Sequence, residues 1–342
     1  MNTSRPWPGS SPHPVSRLSA RYVEFVRTQV ERHGDAETSD SAGSLQPAAM
    51  RSPCGSGFPA AILRLADLTF SVLLTAHGLP IMIENTFLHL PHIGPLTEID
   101  LWCRGILTWD DLELHLKDWP KNTERRRSIT RQLHESIEHR GQAAYFYNRL
   151  PSVERWRLYR DFRNRCGFLD IETTGISSYD HEITVIGLYD GLQMHHFING
   201  ENLEEFEDAV EGYDLLITFN GCRFDLPFIA GFFPNLQFRQ AHIDLLHVAR
   251  RLGYRGGLKR IEPLFGIFRD SEIQEMSGYE AVVLWHEHLR GSPDALPRLL
   301  KYNEADVVNL KTIMEIAWER LQQELEFASG RMLPFDLVNG KS

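Results

Sequence analysis

Hydrophobic and polar positions change character near residue 82. Upstream, residues 1–57 are rich in Ser, Pro and Gly, with Pro6, Pro8, Pro12 and Pro14 set among small or polar residues and little apolar periodicity. Such a stretch cannot bury enough surface to offset the entropy of ordering. Phe58 to Leu79 then run largely apolar, close to the length of a bilayer span, but Arg64, Asp67 and His77 interrupt the run. Charges near a bilayer centre are costly, so a docking helix is a stronger reading than a membrane span. Residues 1–81 are expected to be a disordered or non-native extension, with Met82 as the natural start. N-terminal sequencing of the native protein checks this, and a mature end well before Met82 would refute it.

From Met82 onward apolar residues recur at regular spacing. Residues 82–120 form a small helical module. Leu90-Pro91-His92-Ile93-Gly94-Pro95-Leu96-Thr97 is a tight turn entering a helix whose apolar side is Leu101, Trp102 and Ile106, and Trp109-Asp110-Asp111-Leu112 opens another. Residues 121–165 form a basic helical connector in which Trp156, Tyr159 and Phe162 recur every third position, as on a helix core face. Residues 166–327 carry strand patterns followed by helices, and 328–342 form a C-terminal tail.

Within 166–327 the elements follow from local chemistry. Phe168 to Ile171 reads as a short buried strand. Ile183–Tyr189 and Leu192–Ile198 flank Asp190-Gly191, a hairpin signal. Leu203–Val210 reads as a helix, Asp214–Asn220 as a buried strand, and Asp225 stands at the mouth of the next helix. His242-Ile243-Asp244 is a last strand leading into a helix through Arg251, and Leu258-Lys259 opens another. Ser277 and Glu280 form a capping box for a helix through His288. Ser292-Pro293 is expected to start the final helical region.

Composition narrows the class. A length of 342 residues suggests roughly two domains, and 42% hydrophobic residues suffice for a packed core. Cys54, Cys103, Cys166 and Cys222 lie far apart with no CxxC pair, which excludes a zinc ribbon, gives no disulfide framework and favours a reducing cytoplasm. No N-terminal run has the build of a signal peptide. The net charge of −10 argues against general coating of nucleic acid, yet residues 121–165 hold twelve Lys/Arg against five Asp/Glu, interleaved with Tyr145, Phe146, Tyr147, Trp156, Tyr159 and Phe162. That mixture suits a nucleic-acid strand through phosphate pairing and base stacking. Alternatively the aromatics face the core and the arginines face water; both are expected in part.

The candidate chemistry lies in carboxylates. Asp170 and Glu172 are two apart on a strand and point to the same face. Two acids on one buried face repel each other, and a hard divalent cation is the simplest neutralising group; the bland alternative is a strand end fraying into a solvated loop. Asp225 lies on another element, and Tyr302 and Asp306, four apart, share one face of a helix. The pairs His195-His196 and His286-x-His288 point apart and do not chelate easily.

Asp170-Ile171-Glu172-Thr173-Thr174-Gly175, then Asn220-Gly221-Cys222-Arg223-Phe224-Asp225-Leu226-Pro227-Phe228, then Tyr302-Asn303-Glu304-Ala305-Asp306 resemble, in order and spacing, the three motifs of the DEDD exonucleases of the ribonuclease-H-like superfamily. The segment from Met82 through Trp102 looks like the start of the bacterial YprB-type ribonuclease-H-like proteins. The resemblance implies an α/β fold, a ribonuclease-H-like mixed β-sheet flanked by helices and preceded by the small helical module. It implies metal ligands at Asp170, Glu172, Asp225 and Asp306, two divalent cations (Mg2+ or Mn2+), and the tyrosine subclass through Tyr302; Lys301 stands where the histidine subclass has its histidine. It also implies hydrolysis from a 3′ end of single-stranded or 3′-ended nucleic acid. The front turn resembles half of a helix-hairpin-helix, with His92 in place of its second glycine.

Two metals about 4 Å apart would clamp the attacking and leaving oxygens of a phosphodiester. A phenol is a poor base at neutral pH, so Tyr302 suits positioning of the attacking water. Asn220, Arg223 and Lys259 are candidate substrate contacts, with a turn cap as the plain alternative for Asn220 and a surface lysine at a helix start for Lys259. Asp244 could support the site or simply cap its helix. The rival functions are a nucleic-acid-binding protein with little turnover and a structure-selective endonuclease on the same fold. No membrane is expected as a partner, and protein partners are not indicated.

Overall fold

The turn and helices expected at 82–120 are present in the computed structural model, which describes residues 82–118, 123–176 and 180–328. Helices α1 (Pro95–Cys103) and α2 (Trp109–Leu116) follow a short 3-10 turn at Ile83–Asn85. Gly94 caps α1 ahead of Pro95, and Thr108 with Asp111 forms a capping box for α2. His92 takes a left-handed backbone with φ 63°, the conformation a glycine would adopt at little cost. The expected extension 1–81, the apolar run 58–79 and the tail beyond 328 lie outside the described residues. Among those described, no helix is long and apolar enough to cross a membrane.

The connector is α3 (Glu124–Glu138), α4 (Ala143–Tyr147), a 3-10 stretch at Ser152–Leu158, and α5 (Tyr159–Phe162). Trp156, Tyr159 and Phe162 are buried, as their spacing predicts, but on tight 3-10 and single-turn pieces rather than one long helix. Arg157 is consumed inside the protein and does not face water. It donates to Glu98 Oε2 (2.9 Å), Glu154 Oε2 (2.8 Å) and Thr86 Oγ1, and Arg251 Nη1 donates to Glu154 Oε1 (2.8 Å). Glu98 also accepts the Phe87 N–H at 2.7 Å. This buried ion network joins the module, the connector and a later helix.

A five-stranded sheet follows, with order β3-β2-β1-β4-β5. Its strands are β1 (Cys166–Thr173), β2 (Ile183–Tyr189), β3 (Met194–Ile198), β4 (Leu215–Thr218) and β5 (Ala241–Asp244). The first three form an antiparallel meander through the Asp190-Gly191 turn; β4 and β5 run parallel to β1. Parallel strands need crossovers, which α6 (Phe206–Val210) and α7 (Asp225–Phe232) supply. After β5 come α8 (Leu245–Arg251), α9 (Leu258–Ile261), α10 (Ser271–Gln274), α11 (Gly278–Leu289) and α12 (Ala295–Ala328). The Ser277/Glu280 capping box opens α11. The last helix begins at Ala295 rather than at Ser292-Pro293, which form the turn before it.

Strand alternation divides the core. Leu169, Ile171 and Ile186 join Phe206, Phe228 and Phe233 on one face of the sheet. Val185 and Ile198 join Leu284, Trp285, Leu299 and Tyr302, from α11 and α12, on the other. Asp170 and Glu172 pair with Gly187 and Val185, so they point to the α12 face.

Candidate active site

The carboxylates come from three elements. β1 presents Asp170 and Glu172 to α12. Asp225, first residue of α7, turns back to β1, where its Oδ1 accepts the Ile171 N–H at 3.2 Å. Asp306 and Tyr302 lie on one face of α12, and both are buried. The turn that delivers Asp225 is held from β5: Asp244 accepts N–H groups from Asn220 (2.7 Å), Cys222 (3.2 Å) and Leu246 (3.0 Å). Asp244 therefore both caps α8 and clamps the turn. Asn220 takes φ 67°, which an Asn tolerates better than most residues.

Oxygens of Asp170, Glu172 and Asp306 lie within 4.8 Å of one another. Burial raises the pKa of each, and mutual repulsion adds to it: Asp225, Asp306 and Glu172 push Asp170 up, and Asp306 and Asp225 push Glu172 up. Burial moves Asp225 up to about 7 against its own backbone hydrogen bonds, with Asp244 and Asp306 adding to the rise. Burial also raises Asp306, opposed by Arg269. Three carboxylates this close, with the charge of Asp225 adding to their repulsion, hold protons or a cation. The donors are all carboxylate oxygens, the set that hard divalent cations take, so the residues present fit such ions.

Two cationic side chains border the cluster. Arg269 donates to both oxygens of Glu262 (2.7 and 2.6 Å) and to Asp306 Oδ1. Lys259 Nζ sits 4.5 Å from the centre of the Tyr302 ring, buried without a hydrogen-bond partner, so Lys259 is no ordinary surface lysine. Burial lowers its pKa, partly offset by Asp306. Tyr302 is driven well above the ordinary phenol range by burial and by Asp306, Glu172 and Asp170. Arg223 has an exposed side chain on the turn.

Sequence reasoning singled out neither Arg269 nor Glu262, nor the role of Asn303, whose Nδ2 stands 3.3 Å from Asp170 Oδ2. Asn303 lies inside the third motif, one residue after Tyr302, and its place there was the available signal. Arg269 lies in an irregular stretch between short helices, where no periodicity marks it.

Residues 167–318 match the family model described as the RNase_H superfamily. No curated protein matches. Among solved structures the chain is similar to a family B DNA polymerase from Pyrobaculum calidifontis (17% identity, TM-score 0.40). The likeness covers 48% of this chain but only 27% of the polymerase. It is also similar to Brucella melitensis NrnC (19% identity, TM-score 0.34), over 51% of this chain and 86% of NrnC. The Mg2+-bound form of NrnC gives 18% identity and a TM-score of 0.32 over the same shares.

Proposed function

We propose that this chain is a metal-dependent nuclease that hydrolyses phosphodiester bonds of DNA or RNA, acting as a 3′–5′ exonuclease of the DEDD tyrosine subclass and of the YprB type. The observation that carries the reading is the convergence of Asp170, Glu172 and Asp306 oxygens within 4.8 Å, with Asp225 docked on the same strand. Asp170, Glu172, Asp225 and Asp306 would hold two divalent cations, Mg2+ or Mn2+. Bound there, the cations would neutralise the phosphodiester charge, activate a water and stabilise the leaving 3′ oxygen.

The chain's own groups have defined tasks in this reading. Tyr302, with its pKa raised, keeps its proton and orients the attacking water by donating a hydrogen bond; it is not the base. Asn303 steadies Asp170 through Nδ2. Lys259, whose Nζ has no hydrogen-bond partner, would meet a phosphate oxygen. Asn220 and Arg223, on the turn before Asp225, would touch the strand. The substrate is single-stranded or 3′-ended nucleic acid, and the exposed basic groups of 121–165, whose aromatics Tyr145, Phe146, Trp156, Tyr159 and Phe162 are buried, would extend its path. The three segments 82–120, 121–165 and 166–327 would act as an entry module, a connector and the hydrolytic domain, in the cytoplasm.

One observation favours a second reading. Arg269 already neutralises Asp306, as a protein that binds nucleic acid with little turnover could do permanently. The deciding experiment is cleavage of 5′-labelled single-stranded DNA and RNA of one sequence with Mn2+, Mg2+ or EDTA. A metal-dependent ladder shortening from the 3′ end supports the exonuclease and chooses the substrate; internal cuts favour an endonuclease. Binding without cleavage under any metal favours the second reading.

A further inference from the structure

The turn that delivers Asp225 carries another set of ligating groups, distinct from the four carboxylates. Cys222 lies on that turn, Asp244 ends β5, and His247 sits in the first turn of α8. One ligand atom from each lies within 4.8 Å of the other two. His242 adds a nitrogen: its Nδ1 is 3.5 Å from Cys222 Sγ, while its Nε2 is 2.9 Å from Thr218 Oγ1. Thr218 Oγ1 already accepts the Gly221 N–H at 3.0 Å. With its proton on Nε2, donated to Thr218, His242 turns the Nδ1 lone pair toward the sulfur. An outer hydrogen bond of this kind fixes the tautomer of metal-bound imidazoles.

The donor chemistry differs from that of the carboxylate cluster. Sulfur, nitrogen and one carboxylate suit a borderline-soft cation of the zinc class and suit magnesium poorly. Charge balances as well, since a thiolate and a carboxylate together neutralise a divalent ion. Burial and Asp244 push the Cys222 thiol up to about 11, against the opposing charge of Arg155, so the S–H would lose its proton to solvent only as the sulfur–metal bond forms. Cys222 and His247 are exposed, which leaves a path of entry.

We propose that Cys222, Asp244 and His247 bind a zinc-class divalent cation, with His242 Nδ1 as the fourth donor. Asp244 already holds the backbone of Asn220 and Cys222. A cation at this point would fasten the turn to β5 and α8 and so fix the entry to α7, where Asp225 stands. The assignment does not depend on the nuclease reading.

The test uses the full-length chain with Co2+ as probe and Mg2+ in excess, so that hard carboxylate sites are filled. Thiolate-to-cobalt charge-transfer absorption should rise to one equivalent, disappear in Cys222→Ser and weaken in His247→Ala. In the unaltered chain, Zn2+ should protect Cys222 from alkylation mapped by mass spectrometry, with Cys103 as the exposed reference. No absorption together with unprotected Cys222, or absorption that survives in Cys222→Ser, overturns the proposal. The alkylation readout decides the matter even where a variant fails to fold.

Discussion

Asn303 Nδ2 reaches Asp170 Oδ2 at 3.3 Å directly over Gly187, the residue paired with Asp170 in the neighbouring strand. The approach of α12 to the sheet depends on that glycine. A Cβ at position 187 would collide with Asn303 Oδ1 and stand 2.8 Å from Val307 Cγ2 and Met194 Cε. Gly187→Ala should therefore push α12 off β2, at a cost of about 1–3 kcal/mol in stability. Because α12 carries Tyr302 and Asp306, cleavage should fall as well. Denaturant melts and a cleavage assay on the same preparation check this; a variant of unchanged stability would mean that α12 can shift without strain.

Asp170 and Tyr302 separate metal binding from positioning. Asp170→Ala should abolish cleavage and leave nucleic-acid binding largely intact, because the basic surface of 121–165 is untouched; retained cleavage would refute the site assignment. Tyr302→Phe should slow turnover while Mn2+ affinity, read by calorimetry, stays as it was. If turnover is unchanged, Tyr302 has no part in the chemistry.

The raised carboxyl pKa values set a pH dependence with a definite sign. In the metal-free protein Asp225 titrates at about 7, above its ordinary value, and Asp170, Glu172 and Asp306 are also raised. The folded state then binds more protons than the unfolded chain, so stability is fully present below the ordinary carboxylate range and is lost as pH rises through about 7. Melting temperature in EDTA should fall across that window. Added Mn2+ should stabilise the protein more at about pH 8 than at about pH 5, because the ion competes with protons for the same oxygens. Equal stabilisation at both pH values would show that the ion binds elsewhere.

Much of this arrangement was legible from local pattern. Alternation around Asp170 and Glu172, the Asp190-Gly191 turn, and the Ser277/Glu280 box each involve residues a few positions apart, where spacing alone decides which face or terminus a side chain occupies. What stayed hidden depends on long-range pairing. Glu98 and Arg157, buried at 2% side-chain exposure each, are 59 positions apart, and nothing in either neighbourhood names the other. Arg157 therefore counted as a basic surface group when it is an internal one. The 3-10 geometry of Ser152–Leu158 escaped for a related reason: a spacing of three fits both helix types, so the pattern alone does not choose between them.

Arg269 was hidden in the same way, and it yields the sharpest energetic test. Its guanidinium is almost fully buried, clasped by Glu262 and touching Asp306. Arg269→Met would leave Glu262 buried with only Asn309 Nδ2 donating to it at 2.8 Å. An unpaired buried charge of this kind costs about 3–5 kcal/mol. The same change frees Asp306 from its counter-charge, so the carboxylate cluster should demand a cation more strongly. The expected outcome is a large loss of melting temperature in EDTA that narrows when Mn2+ is added. In Arg269→Met with Glu262→Leu, where both partners of the buried pair become apolar, most of the EDTA deficit should disappear. If Mn2+ leaves the single variant's deficit unchanged, Arg269 is a structural partner of Glu262 alone, and Asp306 does not exchange an internal cation for a metal.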